Sequence, residues 1–240
     1  MAVTPRDIIK RALSEDRFKL LEHEAFELAR YYGIPTPKAY LVKSPEEAYN
    51  LADSVGYPIA LKIVSPDITH KSDVGGVKLN LMSREEVRRA VKEILEVVPK
   101  RAPNARIEGV LMYHMAPPGL EVIVGGVRDG IFGSAIMFGL GGVFVEVLRD
   151  VSFRIAPVTL EEAYEMIDEI KSSRILGGYR GQPPIDKSAI ANIIVNTSKL
   201  MYENPEIESI DLNPVIAYER GAIAVDVRVI LARPLQGAHQ

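Results

Sequence analysis

Apolar side chains recur every three to four positions over residues 4–32, at Ile8, Ile9, Ala12 and Leu13 and again at Leu21, Ala25, Phe26 and Leu28, with charges between them. That period predicts an amphipathic helix, which Gly33 and Pro35 stop. A short strand over 39–42 follows, then a helix opened by Ser44-Pro45-Glu46-Glu47 and closed by Gly56 and Pro58. Its start carries a hydroxyl cap, a proline in the first turn and acids at the positive end of the dipole. The apolar run 59–64 reads as a buried strand, and the alternation over 77–81 as a strand paired with it. Ser83-Arg-Glu-Glu caps a helix through Val98, and 110–115 is the next strand before the break at Ala-Pro117-Pro118-Gly119.

Beyond that break strands dominate, at 121–127, 134–140, 144–148 and 153–158. Helices over 160–173 and 186–202 and a hairpin from Leu212 to Ile230, turning at Glu219-Arg-Gly221, complete the chain. Strands and helices mix without strict βαβ repetition, so the fold class is α+β, in two lobes of residues 1–116 and 117–240, rather than a doubly wound sheet. No internal repeat or low-complexity segment is evident, and the tail after Arg233 reads as frayed.

Composition narrows the functional classes. The 240 residues are 47% apolar and 25% charged, with a formal charge of −3, so nothing draws the chain to nucleic acid or anionic lipid. No run approaches the roughly 18 apolar residues of a membrane span, and the polar start is unlike a secretion signal, which predicts a cytoplasmic protein. With no cysteine, disulfides and thiolate chemistry are excluded, and covalent chemistry falls to His, Ser, Thr, Lys or a carboxylate.

Several residues are candidates for that chemistry. Asp211-Leu-Asn213-Pro214 leads into one arm of the hairpin and Asp226 sits on the return arm. Two carboxylates and an amide are the hard oxygen donors magnesium takes alongside water and phosphate, although a plain Asp-x-Asn-Pro turn accounts for the motif alone. Lys62 lies inside an apolar strand, where an ammonium needs an anionic partner. A nucleotide phosphate would serve, and so would escape of the lysine head to the sheet edge. Lys38, before the preceding strand, is a second candidate cation. The polar loop Ser65-Pro-Asp-Ile-Thr-His70-Lys-Ser-Asp-Val-Gly75-Gly76 ends in paired glycines whose amides can approach phosphate. Its His70 is either a nucleophile or base or simply solvated. Gly139-Leu-Gly-Gly142 is a second glycine turn, admitting a partner backbone or a phosphate, with Glu146 and Asp150 beyond it. Glu146 can orient a histidine or help hold a metal, and Glu121 can accept hydrogen bonds from a ribose.

In this order the pieces resemble the ATP-grasp superfamily, over roughly residues 17–231. The resemblance implies a nucleotide, ATP or ADP with Mg2+, held between two α+β lobes. Lys38 and Lys62 would be the phosphate-binding pair, Gly75-Gly76 the flexible glycine loop, and Tyr113, His114 and Met115 the adenine-binding linker. Glu121 would be the ribose contact, and Asn213 and Asp226 the metal ligands, ahead of Asp211, which stands where the superfamily more commonly has glutamate.

A narrower resemblance rests on Lys62-Ile-Val-Ser-Pro-Asp-Ile-Thr-His70-Lys-Ser-Asp-Val-Gly-Gly-Val, which is similar to the nucleotide-binding beta subunits of ADP-forming acetyl-CoA synthetases. These ligases interconvert acyl-CoA, ADP and phosphate with free acid, CoA and ATP. The resemblance implies that His70 relays a phosphoryl group to ADP and that a CoA-binding alpha subunit completes a heterotetramer of two alpha and two beta chains; Glu146, from its place beyond the glycine turn, is the second candidate catalytic residue. No GxGxxG unit for CoA is present in the sequence. Two other readings are a self-contained ATP-grasp carboxylate–amine ligase, in which the His70 loop has no role, and a non-catalytic nucleotide-sensing module.

Overall fold

The computed structural model describes residues 3–142, 150–178 and 183–233. The chain divides into two compact units, one of Leu21–Phe26 and Pro37–Pro117, the other of Met1–Leu20, Glu27–Thr36 and Pro118–Gln240. The division after Pro117 lies one residue from the line expected at 116/117, and most of the leading residues group with the C-terminal part.

The expected helix over 4–32 is two helices, α1 (Pro5–Ser14) and α2 (Glu22–Tyr31). Thr4 and Asp7 form a reciprocal capping box at the start of α1. Asp16, with φ 54°, turns the chain out of the helix, and the segment after it lies along a strand of the hairpin: Leu20 N–H donates to Val229 O and Leu231 N–H to Phe18 O. The period of apolar residues is kept across this break, which is why it reads as one helix. Glu24 closes the start of α2 by accepting from Leu21 N–H at 2.9 Å. Gly33, at φ 78°, ends the helix as expected.

The smaller unit contains β1 (Ala39–Val42), α3 (Pro45–Val55), β2 (Ile59–Val64), β3 (Val77–Leu81), α4 (Arg84–Arg101) and β4 (Gly109–His114). Ser44 and Ser83 cap α3 and α4 by accepting from Glu47 and Glu86 N–H. The sheet is antiparallel in the order β1-β4-β2-β3. One face of β2, Ile59, Leu61 and Ile63, joins Val110 and Met112 of β4 in a core with α3 and α4, through Ala48, Ala52, Val87, Val91 and Ile94. Strand alternation therefore puts Ala60, Lys62, Leu111 and Tyr113 on the opposite face.

The larger unit contains β5 (Leu120–Asp129), β6 (Gly133–Leu140), β7 (Val151–Ile155), α5 (Leu160–Glu169), α6 (Ser173–Leu176), α7 (Lys187–Glu203), β8 (Ile207–Ala217), β9 (Ala222–Ala224) and β10 (Val227–Leu231). Its sheet is antiparallel in the order β10-β8-β5-β6-β7, with β9 also on β8. The expected strand over 144–148 lies outside the described residues, and the one expected over 153–158 occupies Val151–Ile155. The helix expected to reach 173 ends at Glu169, with α6 a separate short turn. The hairpin is longer than expected on one arm, because β8 starts at Ile207, and interrupted on the other. Pro214 has no N–H to give the ladder, so pairing passes from β9 to β10 across Val225 and Asp226. Every pairing among the described strands is antiparallel, which is the α+β arrangement expected from the absence of βαβ repetition.

Candidate functional site

In the smaller unit Lys62 and Tyr113 lie on the face of the sheet opposite α3 and α4, whereas Gly75, whose Cβ would meet Val97 and Arg101 of α4, and Gly76, packed on Ile63, lie on the helix side. Lys62 is the central cation, and its anionic partner is a side chain: its Nζ donates to Glu22 Oε1 at 2.9 Å. Lys71 Nζ donates to the other oxygen, Glu22 Oε2. The carboxylate is nearly sealed from solvent, at 4% exposure against 13% for the Lys62 side chain and 20% for Lys71. Burial pushes the Glu22 carboxyl up, but the two ammoniums outweigh it and hold it below its ordinary range. Lys62 also lies over the Tyr113 ring, 5.6 Å from its centroid, and that ring packs edge-on to Phe26 at 6.1 Å. The demand of a buried lysine for an anion, read as a place for phosphate, is thus already met within the protein. In the sequence Glu22 is indistinguishable from the other charges of a continuous helical pattern; its place at the first turn after a break shows only in the fold.

The loop between β2 and β3 is anchored on both sides of His70. Asp67 accepts from the N–H and guanidinium of Arg106, and Ile68 is buried in the core. Lys71 is tied to Glu22, and the remainder turns back on itself: Gly75 N–H donates to Ser72 O and Gly76 N–H to Lys71 O. Thr69 and His70 are left exposed between these anchors. A Cβ on Gly76 would lie 2.3 Å from Ile63 Cγ2, so the glycine is required by close approach to β2. The amides of Gly75 and Gly76, read as phosphate donors, are engaged within the loop. Lys38 is exposed, its Nζ 5.4 Å from the Tyr40 ring centroid. Met115 N–H donates to Pro58 O, and its sulfur accepts from Asn80 N–H, while His114 is exposed.

In the larger unit Asp211, Asn213 and Asp226 meet where β8 faces the interrupted return strand. Asn213 N–H donates to Asp226 O at 3.2 Å, and Asp211 stands opposite Arg228. Burial pushes the Asp211 carboxyl above its ordinary range, Arg228 opposes this, and the nearby Asp226 adds to it. A half-buried carboxyl raised in this way, beside a second carboxylate and an exposed amide, is a set of hard oxygens that a divalent cation would relieve. No group of three or more His, Cys, Asp or Glu side chains with metal-holding geometry occurs among the described residues. The donor set still fits magnesium, which takes one or two carboxylates and fills its octahedron with water and phosphate.

Glu121 is exposed on β5, and the second glycine turn packs on it: Gly141 N–H donates to Glu121 O at 2.8 Å, and a Cβ on Gly141 would lie 3.0 Å from the Glu121 backbone. The approach of a backbone, one of the two expectations for this turn, is met by Glu121. Glu146 lies outside the described residues. Asp150 is occupied, accepting from Lys171 N–H, Ser172 N–H and the Ser172 hydroxyl.

Two antiparallel sheets with their helices, one bearing a face lysine and the other two aspartates with an asparagine, make up this α+β fold, and the ATP-grasp domain family model matches residues 11–231. The beta subunit of ADP-forming acetate–CoA ligase I of Pyrococcus furiosus is 52% identical over 94% of this chain and 97% of that protein. The ADP-forming acetate–CoA ligase I of Archaeoglobus fulgidus is 48% identical over 94% of this chain, which spans 33% of that longer polypeptide. Among solved structures, acetyl-coenzyme A synthetase 1 of Ca. Korarchaeum cryptofilum in complex with coenzyme A and Ca-AMPCP matches at TM-score 0.92 and 51% identity, over 95% of this chain and all of that one. The same protein with Mg-AMPPCP, its phosphohistidine segment pointing towards the nucleotide binding site, matches at TM-score 0.85, 48% identity and 95% and 99% coverage. The chain belongs to the ATP-grasp family, and within it to the ADP-forming acetate–CoA ligases. No helix among the described residues is long and apolar enough to cross a membrane.

Proposed function

We propose that this chain is the nucleotide-binding beta subunit of an ADP-forming acyl-CoA synthetase, acting on acetyl-CoA or a close relative, in which His70 relays a phosphoryl group to ADP. The observation that carries the proposal is the presentation of His70: an exposed imidazole held between the buried Ile68 and the tethered Lys71. A phosphoryl donor can reach such a group, and the flanking anchors limit where it can go.

In the forward step a neutral imidazole nitrogen of His70 attacks the phosphorus of an incoming phosphohistidine. The P–N bond to the donor breaks, and one to His70 forms. In the second step a terminal oxygen of ADP attacks that phosphorus, the bond to His70 breaks, and ATP leaves with His70 neutral again. The loose transition state spreads negative charge over equatorial oxygens, which Lys62 and Lys38 are positioned in the family pattern to neutralise. Glu121 is the ribose contact, Tyr113, His114 and Met115 the adenine contacts, and Gly75 and Gly76 shape the loop. Asn213 and Asp226, with Asp211, would hold Mg2+, whose charge offsets that of the phosphates. Glu146 assists the histidine.

The designation of the Pyrococcus relative as a subunit beta supports a partner subunit, which we assign as a CoA-binding alpha chain in a complex of two alpha and two beta chains in the cytoplasm. The division at 116/117 is the lobe boundary of this reading.

The test is labelling of the co-purified complex with ATP labelled on its terminal phosphate, followed by separation of the chains. The beta chain should carry acid-labile, alkali-stable label that ADP chases into ATP, and His70→Ala should abolish it. Label that survives acid, or that persists in His70→Ala, sinks the proposal.

A further inference from the structure

The Glu22 carboxylate ties together two elements that the relay brings into play, the strand bearing Lys62 and the loop bearing His70. We infer that Glu22 is a positioning residue for the phosphoryl relay, registering the His70 loop on the Lys62 strand through Lys71; the inference rests on the reading of His70 given above.

Two observations carry it. The first is connectivity: Glu22 Oε1 accepts from Lys62 and Oε2 from Lys71, so one carboxylate spans β2 and the residue next to His70. Accepting a hydrogen bond at each of its oxygens leaves the carboxylate little freedom to rotate. The second is burial. Glu22 is 4% exposed, so this is no surface pair that water would loosen, and removing its charge leaves two ammoniums facing each other in a poorly solvated place. Lys62 is steadied independently by the Tyr113 ring, so the weaker link, and the one Glu22 supplies, is Lys71 with the loop.

A tether of this kind affects the rate of transfer more than nucleotide affinity. Loosening it lets the imidazole wander from its line of attack while the phosphate-facing strand stays where it is. The measurement is the single-turnover rate of transfer from phosphorylated His70 to ADP in the assembled two-subunit enzyme, well below the melting temperature of each variant. Glu22→Gln should slow transfer on the order of tenfold or more. The ADP dissociation constant should stay within about threefold. Lys71→Met, which keeps the stem and removes the charge at the partly exposed end, should slow transfer comparably, and the double variant should be no slower than either. Amide hydrogen exchange over residues 66–76 should accelerate in both single variants.

Transfer at the wild-type rate in Lys71→Met overturns the inference, as does a loss in Glu22→Gln that lies wholly in ADP affinity. If wild-type His70 takes no label at all, the relay reading itself has failed; if it takes label and the variants transfer normally, only the role of Glu22 has.

Discussion

The backbone N–H of Asn213 donates to the carbonyl of Asp226 at 3.2 Å, where Pro214 interrupts the ladder and the return strand passes from β9 to β10. This bond joins the two arms of the hairpin at the positions proposed to ligate magnesium. Asp226→Asn keeps the shape and removes a charge. It should weaken binding of Mg-ADP on the order of tenfold or more, since a site with so few protein ligands cannot spare one. Calorimetric titration checks this, repeated with EDTA in place of the metal: the deficit should disappear in EDTA. An equal deficit with and without Mg2+ would remove Asp226 from the metal site.

A second consequence concerns pH. The Glu22 carboxyl is depressed in the folded protein from the ordinary value of 4.5, so its ion pairs stabilise the fold above that value and the stabilisation is lost as pH falls below it. At neutral pH Glu22→Gln should cost roughly 3 kcal/mol, because two buried-side ammoniums lose their counter-charge. Melting temperatures of wild type and variant, measured from neutral pH down to about 3, should therefore converge as the carboxyl protonates. Parallel curves across the whole range would mean that the variant acts through shape and not charge.

Gly76 offers a steric test of the loop. A methyl group there meets Ile63 Cγ2 at 2.3 Å and Lys71 O at 3.0 Å, and Ile63 is fully buried in the core. Gly76→Ala should cost about 1–3 kcal/mol of stability as the loop is pushed off β2. Labelling of His70 should fall with it, while the circular dichroism of the chain is retained. Normal labelling in a destabilised variant would show that the position of His70 tolerates movement of the loop.

Much of this was legible in the chain. Ser44 and Ser83 announce α3 and α4 because a cap is a local event, decided within four residues. The apolar run around Lys62 marks a strand and an ammonium needing an anion. Which anion could not be read, since Glu22 reaches Lys62 only through the tertiary fold, 40 residues away in sequence. The same limit explains the first helix. Residues 17–20 sit between two stretches of helical period, yet they lie against Val229 and Leu231, partners more than 200 positions on that no local window contains. Glycines were half legible: Gly76 and Gly141 were recognised as places of close approach, but the approaching atoms belong to Ile63 and Glu121.

Arg128 provides the last prediction, remote from the chemistry. It lies on β5, and its guanidinium donates through Nε to Ile207 O at 2.9 Å and through Nη2 to Met201 O and Asn204 O. Those carbonyls belong to the end of α7 and the turn into β8, where helical carbonyls lack partners of their own and the helix dipole is negative. One cation thus closes the helix and fixes the start of the strand that carries Asp211 and Asn213. Arg128→Ala should cost roughly 3 kcal/mol, since charged hydrogen bonds are lost and half-buried carbonyls are stranded. Arg128→Lys should recover only part of this, because an ammonium lacks the planar fork that serves three acceptors at once. Chemical denaturation of the three proteins gives the ranking directly, and a lysine variant as stable as wild type would show that charge at this helix end suffices without the fork.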